Sequence, residues 1–293
     1  MLRRKTVVAV MAVLPLMLLV AGCGEKPAPK KTSTTPPKID EGKPTPPEGS
    51  GAKGKDEAQA AAVEGWGTIK GMIVYDGPAP EPKLIHKAGA DVKNPERCAV
   101  HDMFSEELVV NKDNRGIKWA LVSIGGNPKV HPDSAKAEGE VEFGQEFCHF
   151  IPHLLAMREG QKLIVTASDP GLGHNTNLSG GVNPVWNVVI PPPKEGEKSA
   201  VDGPDLRAVR QPMPVRCDIH KWMNAHIAVF KHPYFAVTGD DGSFEIKNVP
   251  AGKQKLVVWQ ELILWGPGGQ TGQDIEVKPD ETTDVRQIML VKQ

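Results

Sequence analysis

The stretch Pro214-Val-Arg-Cys217-Asp-Ile-His220-Lys-Trp-Met223, followed by the alternating run Ala225–Phe230, decides how the chain is read. It puts a thiol, an imidazole and a thioether within seven residues, on what reads as one loop between two strands. A lone Met is ordinarily core and a lone buried Cys ordinarily inert. Three donors of graded softness on one short loop are a different matter, because soft sulfur and imidazole together select a transition metal. A second imidazole should come from a neighbouring strand end some tens of residues upstream. Gly173-His174-Asn175 supplies it, after the strand-like run Lys162–Thr166 and the turn Ser168-Asp169-Pro170.

One thiolate, two imidazoles and a weak axial thioether form the donor set of mononuclear electron-transfer copper. The array His174-Asn175 … Cys217-x-x-His220-x-x-Met223 resembles the cupredoxins, and its short Cys-to-His-to-Met spacing is most similar to amicyanin. The resemblance implies one type-1 copper held by His174, Cys217, His220 and Met223, with Asn175 tying the two ligand loops together. It also implies that His220 lies near the surface and serves as the electron exit. The loop departs from the simple cupredoxins in places. Val215 stands where many have an aromatic residue, and Asp218-Ile219 replaces a pair ending in Pro. Asp218 is expected to set a carboxylate beside the site, lowering its potential or disfavouring the thiolate. Trp222 and Trp186 are candidates for an apolar collar, and His226, on the outward phase of its strand, is expected at the surface.

The rest of the chain from Gly65 also reads as all-β. Short alternating or β-branched runs such as Thr68–Tyr75, Lys118–Ile124, Trp186–Ile190, Phe244–Asn248 and Lys255–Trp259 recur between Gly, Pro, Asn and Asp. The stretch Phe235–Thr238 … Gly242-Ser-Phe-Glu-Ile246 … Pro250-Ala-Gly252 … Leu256–Trp259 resembles the transthyretin-like or carboxypeptidase-regulatory-like sandwich, whose opening strand is similar to Gly67–Gly77. The segments Cys148–His153, Ser168–Pro170, Cys217–Met223 and His232–Thr238 resemble bacterial methylamine-utilisation or cupredoxin-like proteins, which join the two modules. Relatives of that type often carry His where this chain has Gln260. The expected fold is therefore a Greek-key cupredoxin-like β-sandwich combined with a second, small β-sandwich. Residues 65–83 give a first strand pairing with the C-terminal sandwich, 84–231 the copper module and 232–293 the C-terminal sandwich.

The N-terminus reads as an export signal. Arg3, Arg4 and Lys5 precede an apolar run from Thr6 to Val20, too short to span a bilayer comfortably, and Ala21-Gly22-Cys23 follows. That ending resembles the lipobox of bacterial lipoproteins. Residues 1–22 are expected to be removed and Cys23 lipidated, making a tie to the membrane. Gly24, in place of an Asp retention signal, points to the outer membrane of a Gram-negative cell. Residues 23–64 lack aromatic side chains and are rich in Pro, Lys and Thr, the composition of a disordered tether reaching roughly 30–40 Å.

Loss of the three signal cations takes the net charge from −1 to −4. No basic run or basic–aromatic patch occurs, which excludes nucleic acid as the expected partner. Of four cysteines, Cys23 is spent on lipid, so an oxidising compartment favours a Cys98–Cys148 bridge and leaves Cys217 free. The other reading of that pair is a zinc site with His101, His149 and His153. No Ser/His/Asp elbow, phosphate-cradling Gly loop or Cys-x-x-Cys-His haem motif is present, so the expectation is a non-enzymatic carrier. Its partner would be a redox protein of the envelope, for example a c-type cytochrome. A non-redox, carbohydrate-binding-like β-sandwich binding or scaffold lipoprotein and a copper-storage or delivery protein are the alternatives.

Overall fold

The computed structural model describes residues 64–291. The expected signal, Cys23 and nearly all of the tether lie outside them. The described residues are all-β: helix is confined to single turns such as Pro95–Cys98, and the strands form two sandwiches.

The histidine-rich sandwich opposes two sheets. One has the spatial order Ser199–Asp202, Lys162–Ala167, Glu140–Glu146, His149–Ile151. The other runs Asn183–Ile190, His174–Gly180, Met213–Arg216, Asn224–Phe230, Leu154–Arg158. Spatial order departs from chain order, so the chain crosses between sheets. Two pairings are parallel, Lys162–Ala167 with Glu140–Glu146 and Asn224–Phe230 with Leu154–Arg158. Phe143, Phe150, Leu163 and Val165 of the first sheet meet Met157, Leu178, Val215 and Ile227 of the second in one core.

The C-terminal sandwich starts far upstream. Trp66–Tyr75 lies between Ser243–Pro250, to which it is antiparallel, and Thr282–Leu290, to which it is parallel. Gly71 sits where the parallel register shifts, and a Cβ there would come within 2.6 Å of Val285 Cγ2. The facing sheet places Leu121–Ile124 between Phe235–Val237 and Gly252–Gln260. Leu121–Ile124 was expected inside the copper module at 84–231. All four of its residues are buried, so it needs cover on both faces, and the centre of a sheet between packed layers provides that. The texture that suggests a boundary at residue 84 follows loops and histidines, not strand pairing.

The two sandwiches meet through a third apolar cluster, in which Leu154 and Ala228 touch Leu121 and Trp259. The strand Asn224–Phe230 explains the arrangement. Ala225, Ile227 and Val229 face the histidine-rich core, while Ala228 and Phe230 face the other sandwich. His226 shares that second face. It is therefore not a surface residue as the alternation alone suggested; its ring packs against Trp259 with centroids 5.1 Å apart. The phase of the strand was right, but its outer face meets protein rather than water.

Cys98 and Cys148 are joined as a disulfide (S–S 2.05 Å) across a sequence separation of 50. In the chain-entropy account a loop of that size stabilises the fold by on the order of 4 kcal/mol. Both thiols are consumed, so the alternative zinc grouping with His101, His149 and His153 is not assembled. Cys217 is the free cysteine among the described residues.

Just beyond the interface strand, His232 is 5% exposed and its Nδ1 accepts the backbone N–H of Tyr234. Burial, reinforced by the charge of Arg158, pushes its pKa down to about 4. The unfolded chain, with a His pKa near 6.5, therefore binds this proton first. Stability from this group is whole above pH ~6.5 and is lost as pH falls toward 4, a difference on the order of 3 kcal/mol. Urea midpoints measured between pH 7 and 4 should fall more steeply for the wild type than for His232→Asn. Equal slopes would remove His232 from the account.

Candidate metal centre

Met213–Arg216 and Asn224–Phe230 form an antiparallel pair with Arg216 opposite Asn224, so residues 217–223 are the loop that closes the hairpin. The loop folds back on itself: Cys217 N–H donates to Met223 O (3.1 Å) and Met223 N–H to His220 O (2.9 Å). The strand His174–Gly180 lies on the other side of Met213–Arg216, with Asn177 opposite Arg216. This register brings His174 to the end of the sheet where Cys217 emerges.

The structure brings three of the expected ligands together. Cys217 Sγ and one ring nitrogen each of His174 and His220 lie within 4.8 Å of one another, with His220 Nδ1 3.9 Å from the sulfur. Cys217 is 1% exposed and both histidines 0%. Met223 is buried in the same core cluster as Cys217, with its backbone tied to Cys217 and His220.

Each imidazole is oriented by its far nitrogen. His174 Nε2–H donates to Asp169 Oδ2 (2.7 Å) and His220 Nε2–H to Asn94 Oδ1 (3.0 Å). Both rings thereby turn an Nδ1 lone pair toward the sulfur, and His174 Nδ1 is buried with no hydrogen-bond partner. A buried acceptor left unpaired is costly, and a cation between it and Sγ removes the cost. The donors present therefore fit copper.

Electrostatics favour the thiolate. Burial opposes charge on Cys217, but the adjacent His174 and His220 side chains, and the backbone N–H groups of Asn175 and His220, outweigh it and bring the pKa down to about 5. Burial likewise opposes charge on His174, yet Asp169 and Cys217 raise its pKa on balance. The state prepared is an anionic sulfur facing cation-tolerant imidazoles.

Asn175 bridges the ligand loops. Its Oδ1 accepts the N–H groups of Asp218 (2.7 Å) and Ile219 (3.2 Å) and stands 3.4 Å from Cys217 Sγ. The expected effect of Asp218 needs correcting. Its Oδ2 is held by the amide groups of Asn175, Asn177 and Asn187, and its Oδ1 by Arg216 Nε. This cradle, Asn177 foremost, keeps the Asp218 pKa low and spreads its charge over amides rather than aiming it at the sulfur.

His220 also departs from expectation. It is not near the surface, because Asn94 closes over it from the segment preceding Pro95–Cys98 and Trp222 packs against its ring at 5.4 Å. Asn94 adopts φ 56°, ψ 55°, a left-handed conformation that Asn tolerates better than most residues. Trp222 and Trp186 are half-buried against the core that contains Cys217.

Two residues of the site were missed in the sequence. Asp169 appeared only as part of a turn, yet its carboxylate also accepts the N–H groups of Phe147 (2.7 Å) and Cys148 (3.1 Å), linking the disulfide corner to His174. The usable signal was a carboxylate five residues before a candidate imidazole ligand, since such ligands commonly donate their second N–H to one. Asn94 carries no comparable signal.

No protein-family profile and no curated protein matches the chain. Solved structures similar to it include a mutant amicyanin in its reduced Cu(I) form, at 15% identity and a TM-score of 0.25 over 37% of this chain and 98% of its own. A purple cupredoxin from Nitrosopumilus maritimus matches at 16% identity and a TM-score of 0.24, over 31% of this chain and 99% of its own. Auracyanin A, a blue copper protein from Chloroflexus aurantiacus, matches at 17% identity and a TM-score of 0.25, over 32% and 99%.

Proposed function

We propose that the protein is a membrane-tethered type-1 copper electron carrier of the cell envelope. The observation that carries this reading is the buried triad His174, Cys217 and His220, with an unpartnered His174 Nδ1 turned toward a thiol already biased to its anion. Copper bound there supplies a one-electron couple between Cu(I) and Cu(II). Cys217 would hold it through its thiolate, His174 and His220 through their imidazoles and Met223 through its thioether.

The surrounding residues limit rearrangement between the two oxidation states. Asp169 and Asn94 fix the two rings, and the backbone N–H groups of Asn175 and His220 fix the sulfur. A held ligand set keeps reorganisation small. Complete burial of the three donors supports a carrier over a delivery protein, which must offer an accessible ligand to the recipient. With His220 enclosed, electronic contact with a redox partner such as a c-type cytochrome would run through the cover. There Trp222 packs on His220 and His86 packs on Trp222 with centroids 5.1 Å apart, both rings half-buried. The reading includes no catalysis. The lipobox-like Ala21-Gly22-Cys23 supports a lipid tie to the membrane, and Gly24 in place of an Asp supports the outer membrane of a Gram-negative cell, facing the periplasm or the cell surface.

Copper-loaded wild-type protein should show an intense visible thiolate-to-copper band. Cys217→Ser should abolish it, and Met223→Leu should keep it while raising the reduction potential. A band that survives Cys217→Ser contradicts the assignment. Asp169→Asn should retain the colour but weaken copper affinity by about 10–100-fold, the usual effect of removing a carboxylate behind a ligating imidazole. Competition with a chelator of known affinity measures it, and an unchanged affinity counts against the role given to Asp169. Cys23→Ser should leave the chain unlipidated and move it from the membrane to the soluble fraction. Complete retention with membranes overturns the anchor.

A further inference from the structure

A second cluster of metal-type donors lies where the two sandwiches meet, built from residues the copper reading does not use. His153 follows the strand His149–Ile151, His226 lies on Asn224–Phe230, and Glu261 follows Gly252–Gln260 of the C-terminal sandwich. The first two are held together by the backbone, His226 N–H donating to His153 O (2.9 Å). Glu261 is presented by a tight turn. Gln260 is 1% exposed, its Oε1 accepts the N–H groups of Leu262 and Ile263, and its Nε2 donates to Glu107 O.

One ligand atom from each of the three residues falls within 4.8 Å of the others. Glu261 Oε2 is 2.7 Å from His153 Nε2 and 3.6 Å from His226 Nδ1. An ion pair alone accounts for the first distance. It does not account for the second imidazole, whose Nδ1 faces the same carboxylate, is shielded from solvent and has no hydrogen-bond partner. Side-chain exposures of 4% for His153, 14% for His226 and 16% for Glu261 leave the three groups largely screened from solvent.

We infer that His153, His226 and Glu261 form a binding site for a single divalent cation of the zinc type, clamping the C-terminal sandwich to the histidine-rich one. Two imidazoles and one carboxylate are a known three-residue zinc set, with a water completing four-coordination. Imidazole nitrogen excludes the hard cations calcium and magnesium, which take oxygen ligands. Because Glu261 comes from one sandwich and both histidines from the other, binding favours the docked arrangement and stabilises the whole chain by mass action.

The test uses the full chain carrying Cys217→Ser, which removes the thiolate that would compete for zinc. Isothermal titration with Zn2+ should give one equivalent, and saturating Zn2+ should raise Tm by about 5 °C. Adding Glu261→Gln or His226→Ala should weaken zinc binding at least tenfold and abolish the Tm increase, with the metal-free Tm reporting whether each variant folds. The site is overturned if the Cys217→Ser chain takes up no stoichiometric zinc. It is equally overturned if both added substitutions leave affinity unchanged. Either result leaves the copper assignment standing, since that assignment is read from the thiolate band of wild-type protein.

Discussion

The burial of Asn224–Phe230 on both faces is the constraint on which the rest of the molecule depends. One face completes the core of the histidine-rich sandwich, and the other receives Leu121 and Trp259 of its neighbour. The strand begins where the ligand loop ends, so its rigidity reaches Met223 and, through the loop's own hydrogen bonds, Cys217 and His220. A strand free to slip by one residue would exchange its two faces and lose both apolar contacts together. The parallel pairing with Leu154–Arg158 adds a second edge to the lock.

Charge around the candidate copper site is handled by partition. Cys217 and Asp169 lie on the buried side with His174 between them, an alternation of anion, imidazole and anion. Asp218 is drawn outward into three amides and Arg216. The carboxylate that looks most threatening to the thiolate in the sequence is the one the fold turns away. The carboxylate that matters, Asp169, is pinned by two backbone N–H groups beside the Cys98–Cys148 bridge, so covalent and ionic restraints converge on a single imidazole.

What was legible in the sequence was local. Cys217, His220 and Met223 share a loop closed by its own hydrogen bonds, and Asn175 follows His174 directly, so spacing alone could bring them to notice. The all-β class was legible for the same reason, because alternation and turn residues act over a few positions. Asn94 was not, since it reaches His220 across 126 residues through a left-handed turn that no pattern marks. The enclosure of His226 was hidden too: strand phase says which way a side chain points but not what waits there. Leu121–Ile124 was assigned to the wrong sandwich because chain order suggested a boundary that strand pairing ignores.

The place of Trp66–Tyr75 governs the order in which the molecule can assemble. Its partners, Ser243–Pro250 and Thr282–Leu290, are the far end of the chain, so the sheet closes only after the whole intervening sequence exists and has been brought back. Such distant pairing carries a loop-closure penalty and slows folding. The main sheets of the histidine-rich sandwich, by contrast, draw every strand from 140–230 and need nothing from either terminus. The inner sandwich would thus reach its native pairing first, while Ile69 and Ile73, both fully buried in the finished fold, wait on an unpaired strand. During that interval the leading strand is an open edge available to another chain, and crowding of newly made copies would be felt there before it was felt at the loop 217–223.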